Sequence, residues 1–344
     1  MSDISIFPET SGPHGADARS RKFALLPGVD GELDPAAAGV IARLAHSGPR
    51  SEITAIEARK RYNESRKPLL APAEAVESVA ELRPATAGVP KLTIFRPAGS
   101  QPSDVLPGLL FLHGGGWTLG DLTIYEPFVR ALANATGSAV IWVDYRLAPE
   151  YPFPAALEDA AAAARWVQKN AHWLSLDPAR IGIGGDSAGA NIAAVTALAA
   201  RDAQISFDPA YQLLLYPCTD LTASLPSHQT FADGYLLTAD LYAWYRRNYI
   251  GRGPNAADWR VSPLFASSFA DVAPAVILYA GFDPLRDEAA AYAARLKGAG
   301  VEVETLFFPG QIHGFLTMGG AIPAADVAIA RLGAAVKKRL ASQL

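Results

Sequence analysis

The sequence predicts an α/β fold in which a mostly parallel central sheet is covered by helices on both faces. Two observations carry that expectation. Continuous apolar runs of strand length recur at Leu109–Leu112, Ala139–Val143, Ile181–Ile183, Tyr211–Tyr216, Ala275–Tyr279 and Glu302–Phe307. Runs that are apolar on both faces suit strands buried from both sides, as parallel strands are. Helical segments such as Ala155–Asn170 and Asn191–Ala200 separate them, which is the alternation that crossover helices impose. A chain of 344 residues, half of them hydrophobic, is long enough for one large domain of this kind with some decoration.

In chain order, residues 1–70 begin polar and rich in Pro and Gly, then turn helical. Pro35 to His46 has apolar residues at helical spacing, and Ile53 to Arg66 is a second, highly charged helix candidate. From about Val76 the pattern changes to alternation, in Val76–Leu82 and Leu92–Phe95, and predicts an antiparallel edge to the sheet. Pro154 precedes the helix that starts at Ala155, a position where a missing N–H costs nothing. More than fifty residues lie between Pro217 and Ala275, far more than a plain crossover needs. They include the aromatic helix candidate Leu241–Tyr249. The expected organisation is a core domain over 76–344, an N-terminal helical segment over 1–75 and an inserted helical segment over 219–252. The two helical segments together would form a lid above the carboxyl edge of the sheet; the plainer alternative is that they pack on the sheet.

A net charge of −4 offers nothing to attract nucleic acid, and no block of like charges forms a basic or acidic tail. The stretch MSDISIFPETSGPHGADARSRK has no basic start followed by an apolar core, so it does not read as a secretory signal. The most apolar helical run, Ala188 to Ala200, is interrupted by Asn191 and Thr196 and is too short to span a bilayer. The single cysteine, Cys218, excludes an intrachain disulfide and a multi-cysteine zinc site. It lies at the end of an expected strand and reads as a buried structural thiol. A cytoplasmic protein with no membrane partner is the expectation.

The chemistry is concentrated in Gly185-Asp186-Ser187-Ala188-Gly189, directly behind the apolar run Ile181-Gly182-Ile183-Gly184. This reads as strand, sharp turn, helix, with Ser187 at the apex and flanking glycines that leave room for the turn. A serine hydroxyl needs a base, and in this arrangement the partners follow in the order Ser, acid, His. Only His228 and His313 lie after Ser187. His313, just past the last expected strand, returns to the same sheet edge as Ser187 and is read as the base, whereas His228 reads as a surface or lid residue. Asp283 follows the strand Ala275–Tyr279 and precedes Pro284, so it is read as the acid. Its rivals are Asp287 and Glu288, which look like first-turn acids facing a helix dipole, and Asp220 paired with His228. Upstream, Leu109–Leu112 runs into His113-Gly114-Gly115-Gly116-Trp117, where three glycines let backbone N–H groups turn toward a developing oxyanion. The N–H of Ala188 supplies a further donor. His113 is read as orienting this loop, and Asp186 as bracing the elbow.

These motifs, HGGGW, VDYRLAPEYPFPAALED (Val143 to Asp159), GDSAG, DPLRDE (Asp283 to Glu288) and HGF (His313 to Phe315), resemble the hormone-sensitive-lipase family of α/β-hydrolases in its bacterial carboxylesterase branch. The resemblance covers roughly Leu109 to Phe315. It implies a triad of Ser187, Asp283 and His313, oxyanion donors at Gly115, Gly116 and Ala188, and a two-part helical cap. It also implies small, relatively apolar ester substrates and no metal or organic cofactor. Where the family usually has GDSAGG, this chain has Ala190, an acceptable residue on a helix. Asp144, Tyr145, Arg146 and Glu150 read as a structural network. Trp117, Phe231 and Trp244, with Tyr245 as a further candidate, are expected at an apolar substrate pocket. The leading expectation is a serine carboxylesterase acting through an acyl-enzyme on short- to medium-chain acyl esters. A lipase, a deacetylase or an amidase on the same triad, or a ligand-binding relative without catalysis, are the alternatives. Homodimerisation through the last strand and helix is common in the family and is left open by the sequence.

Overall fold

The computed structural model describes residues 31–45 and 53–342. The stretch read for a secretory signal, residues 1–22, lies outside the described residues, as do His46 and part of the expected cap segment 1–75. The first two helices are α1 (Pro35–Leu44) and α2 (Ala55–Arg66). Asp34 caps α1 through the N–H groups of Ala36 and Ala37, and Thr54 caps α2 through that of Glu57.

The sheet begins with β1 (Ser78–Leu82), β2 (Leu92–Arg96), β3 (Leu106–Leu112) and, after α3 (Leu122–Thr136), β4 (Ala139–Val143). There follow α4 (Ala155–Lys169), β5 (Leu176–Asp186), α5 (Ala188–Arg201) and β6 (Gln212–Leu215). The long interval holds α6 (Ser227–Thr230) and α7 (Ala239–Ile250), and the chain ends with β7 (Ala275–Phe282), α8 (Arg286–Gly298), β8 (Val303–Ile312) and α9 (Ala324–Ala341). The eight strands form one sheet in the order β1-β2-β4-β3-β5-β6-β7-β8. Strands β3 to β8 pair in parallel, while β2 runs antiparallel to both β1 and β4, as the alternating pattern of that edge predicts.

Successive side chains on a strand point to opposite faces, so each apolar strand feeds two cores. Leu110, Leu112, Ile141, Ile183 and Ile277 face one core with the alanines of α4 and α5. Leu109, Phe111, Val140, Trp142 and Val276 face the other, against Leu132 of α3 and Leu332 of α9. Ala190, in the first turn of α5, is fully buried. The helix α3 is not signalled by any break in composition; its apolar positions Ile124, Tyr125, Phe128, Val129 and Leu132 have helical spacing, but Pro127 sits among them. No helix among the described residues is long and apolar enough to cross a membrane.

Candidate active site

Because β3 to β8 are parallel, the loops after β3, β5, β7 and β8 open on the same edge of the sheet, where open α/β sheets place their sites. Ser187 lies between β5 and α5 with φ 55° and ψ −117°, a backbone state that a non-glycine residue holds only when its surroundings impose it. They do so here. The Ser187 N–H donates to Leu215 O at 2.8 Å, and the serine carbonyl accepts from Asn191 N at 3.0 Å. A Cβ on Gly185 would stand 2.6 Å from the carbonyl carbon of Gly189 and nearer still to Leu112 O. On Gly189 it would lie 2.5 Å from the Leu112 carbonyl carbon and nearer still to its oxygen. The two glycines therefore let β5, the elbow and α5 pack against the end of β3.

Ser187 Oγ is 2.9 Å from His313 Nε2, and His313 Nδ1 is 2.8 Å from Asp283 Oδ2. An ionised carboxylate only accepts, so Nδ1 carries the proton and Nε2 presents its lone pair to the serine hydroxyl. Asp283 is fully buried, and its second oxygen accepts from Leu285 N at 2.8 Å, which locks the carboxylate plane. The ring of Tyr216 packs edge-on against the imidazole with centroids 4.9 Å apart.

The glycine loop after β3 comes to the same place. Gly115 (φ 103°) and Gly116 (φ 60°) adopt left-handed backbone conformations, and the loop closes on itself through Leu119 N donating to Gly115 O at 2.8 Å. The N–H groups of Gly115, Gly116 and Ala188 have no acceptor among the described residues. All three residues line the same pocket as Ser187 and His313. His113 does not: it is buried, donates from Nδ1 to Gly114 O at 2.7 Å, and stacks between Trp142 and Tyr145 with centroids 4.8 and 4.4 Å away. Burial pushes its pKa down to about 4, so it is a neutral spacer at the end of β3.

Asp186 braces the elbow to this loop, accepting from Gly114 N at 2.7 Å and from Tyr125 OH at 3.0 Å. Its burial pushes the carboxyl up to about 6 despite those donors. Around the loop, Tyr145 OH donates to His113 O at 2.7 Å, and Arg146 grips Asp159 and Glu158. Asp144 pairs with Lys91, and Arg59 of α2 binds Glu150 with both nitrogens while also donating to Thr118 O and Ala148 O. The residues of the VDYRLAPE stretch thus tie α2, α4 and the glycine loop together.

The pocket above Ser187 encloses about 660 Å3 of empty space, its mouth included. Trp117 lines it, stacked flat on Tyr249 at 4.3 Å. Phe231 and Trp244, expected there, do not. Phe231 follows α6 and packs on Tyr235, Phe282 and the guanidinium of Arg286. On α7, Leu241, Tyr242 and Tyr245 face the pocket, and Trp244 lies about 100° round the helix from Tyr245. Tyr245 is pressed so closely on Gly116 that a Cβ there would fall 2.6 Å from its Cδ2. The sequence reading missed Tyr62 and Arg66 of α2, and Leu236 and Leu237 between α6 and α7, which also line the pocket. Their only sequence signal was their place in the two helical segments.

His228 is a correction of a different kind. It is only 8% exposed, not a surface residue, and its Nε2 lies 2.6 Å from Glu288 Oε2. Asp287 and Glu288 do stand in the first turn of α8, but they are buried too. Glu288 accepts from the N–H groups of Thr219 and Asp220, and Asp287 accepts from Ser227 N at 3.0 Å. Asp220 binds the hydroxyls of Thr222 and Ser224, and the hydrogen-bond partner of His228 is Glu288 instead. These acids join α8 to the interval after β6. Cys218 is buried beside them, with Sγ 3.5 Å from Tyr242 OH, and it also borders the pocket.

Comparison with known proteins finds relatives named as ester hydrolases. LipN, a carboxylic ester hydrolase of Mycobacterium tuberculosis, is 42% identical over 241 residues, which make up 68% of this chain and 63% of LipN. Ethyl acetate hydrolase of Pseudomonas putida is 35% identical over 294 residues, 85% of this chain and 92% of that protein. An ester-hydrolase from the metagenome of Lake Arreo, solved with a bipyridine phosphonate derivative, superposes with a TM-score of 0.84 at 35% identity, covering 90% of this chain and 99% of that one. Residues 109–317 match the family described by the alpha/beta hydrolase fold, and the chain is a member of that family.

Proposed function

We propose that this protein is a serine carboxylesterase that hydrolyses short- to medium-chain acyl esters through an acyl-enzyme. The observation that carries the reading is the hydrogen-bonded line from Ser187 Oγ through His313 to Asp283, at 2.9 and 2.8 Å. In this reading His313 Nε2 takes the hydroxyl proton as Ser187 attacks the ester carbonyl, and Asp283 stabilises the imidazolium that forms. The N–H groups of Gly115, Gly116 and Ala188 receive the negative charge that develops on the carbonyl oxygen. His313 then returns its proton to the departing alcohol, and a water activated by the same nitrogen releases the acid from Ser187. Helices α2 and α7, from the segments 1–75 and 219–252, serve as the cap. Relatives named for carboxylic esters and for ethyl acetate support the substrate class and its small size. In this reading the protein works in the cytoplasm.

The test is hydrolysis of 4-nitrophenyl esters from acetate to palmitate. Turnover should be highest on short and medium chains, and Ser187→Ala should lower kcat by about 10⁴-fold or more while the protein stays folded. Activity rising toward long chains and emulsions would make it a lipase. No hydrolysis of any ester or amide, with ligand binding unaffected in Ser187→Ala, would end the esterase reading.

A further inference from the structure

The pocket carries one lysine or arginine among the described residues, and it is badly matched to its surroundings. Arg66, the last residue of α2, has five N–H donors on a permanently charged group, yet its sole hydrogen-bond partner among the described residues is the thioether of Met318, at 2.8 Å. A thioether is a weak acceptor. The guanidinium also lies over the Tyr62 ring, 5.0 Å from its centroid, and this contact holds it in place without neutralising it. Arg59, on the same helix, pairs with Glu150, whereas Arg66 forms no ion pair with a carboxylate among the described residues.

The arginine looks into the cavity. Its charge is felt at the phenols of Tyr62, Tyr216 and Tyr245, where it opposes the upward push of burial. Tyr62 and Tyr245 are pocket walls, and Tyr216 packs on the His313 ring. Met318 belongs to the turn that follows His313, whose Gly314 and Thr317 also line the cavity. The acid in the lining, Asp186, already accepts from Gly114 N and Tyr125 OH, so it does not answer Arg66. A cation held at an otherwise apolar wall, on the His313 side, with most of its donors free, is a receptor for a planar anion.

We infer that Arg66 selects esters bearing a carboxylate, binding that group while Ser187 attacks the ester carbonyl. The inference rests on the esterase reading above and names the substrate class for that same site. The carboxylate could sit on the acid or on the alcohol portion of the ester, and the test separates them. Monoethyl succinate is compared with ethyl 4-methylpentanoate for the acid side, and acetoxyacetate with isobutyl acetate for the alcohol side; each pair differs in charge more than in shape.

The expected result is that, in at least one pair, Arg66→Met lowers kcat/KM for the anionic ester about tenfold further than for its neutral partner. That figure is the low end for a charge-assisted contact, because Arg66 is only partly buried. Arg66→Lys should keep part of the selectivity, and added salt should erode it in the wild type. Equal losses on charged and neutral esters in both pairs would make Arg66 a merely structural residue and overturn the inference. Calorimetric binding of the two anionic esters to Ser187→Ala, with and without Arg66→Met, gives a second readout. If the wild type hydrolyses no ester, the esterase reading fails by itself, and an undiminished carboxylate affinity in the double variant overturns the role of Arg66.

Discussion

Replacing Gly116 with alanine tests whether the glycine loop and the cap helix are one working unit. Two penalties act on that single methyl. The first is backbone: at φ 60° a residue with a Cβ costs about 1–2 kcal/mol relative to glycine. The second is steric. The Cβ would stand 2.6 Å from Tyr245 Cδ2, and closer to Cγ and Cδ1, so the ring or the loop must yield about 0.9 Å or more to reach ordinary carbon contact. Tyr245 is buried and packs edge-on against Trp244, so the loop gives way at least as readily as the ring. A displaced Gly116 N–H is a lost oxyanion donor, worth about 10²–10³ in kcat. The assay is steady-state hydrolysis of 4-nitrophenyl butyrate by Gly116→Ala, Tyr245→Ala and the double variant, with thermal unfolding of each. Gly116→Ala should lose about a hundredfold in kcat with KM little changed. The double variant should recover at least tenfold of that, since removing the ring leaves only the backbone penalty. A kcat for Gly116→Ala within about threefold of wild type would refute the reasoning. So would a double variant no faster than the single one, because the loss would then not arise from the ring.

Two further outcomes follow from the same structure. Gly189→Ala should destabilise by several kcal/mol, roughly 3 or more, since its methyl meets the backbone of Leu112 and His113, which cannot rotate away; a melting temperature near that of wild type would contradict the packing described. The buried pair of His228 and Glu288 should make stability fall as pH rises. Burial pushes Glu288 up to about 7, and the hydrogen bond and charge of Glu288, with Asp220 and Asp283, hold His228 above its ordinary value against burial. Both folded pKa values then exceed the unfolded ones, so the folded state binds more protons, and the pair's contribution is full at low pH and lost through about pH 7. Melting temperature measured between about pH 5 and 8 should show this decline, and Glu288→Gln or His228→Gln should flatten it; an unchanged slope in both variants would refute the assignment.

The legible parts of this protein are those governed by local rules. An apolar run of strand length, such as Ala139–Val143, needs only its own residues to declare two buried faces, and its bounds appear unaltered in β4. Other edges moved because the ladder, not the apolar run, ends a strand. β3 starts at Leu106, where it meets Leu176 across an irregularity in register, and β8 runs on to Ile312. In the site, Gly185, Ser187 and Gly189 stand at a spacing that a strand–turn–helix elbow demands, and the order of Asp283 and His313 along the chain follows the order of parallel strands.

What the sequence determined by itself was the α/β class, the antiparallel edge and the reading of Ser187, Asp283 and His313 as partners, because backbone conformation and strand order are written in neighbouring residues. What only the tertiary structure decided was what surrounds them. Tyr245 rather than Trp244 faces the pocket, since one residue along α7 turns a side chain by about 100°. Arg66 arrives from α2, and His228 is buried against Glu288 sixty positions away. Such contacts depend on how helices rotate and dock on the sheet. Those are long-range packing choices that no local pattern of residues records.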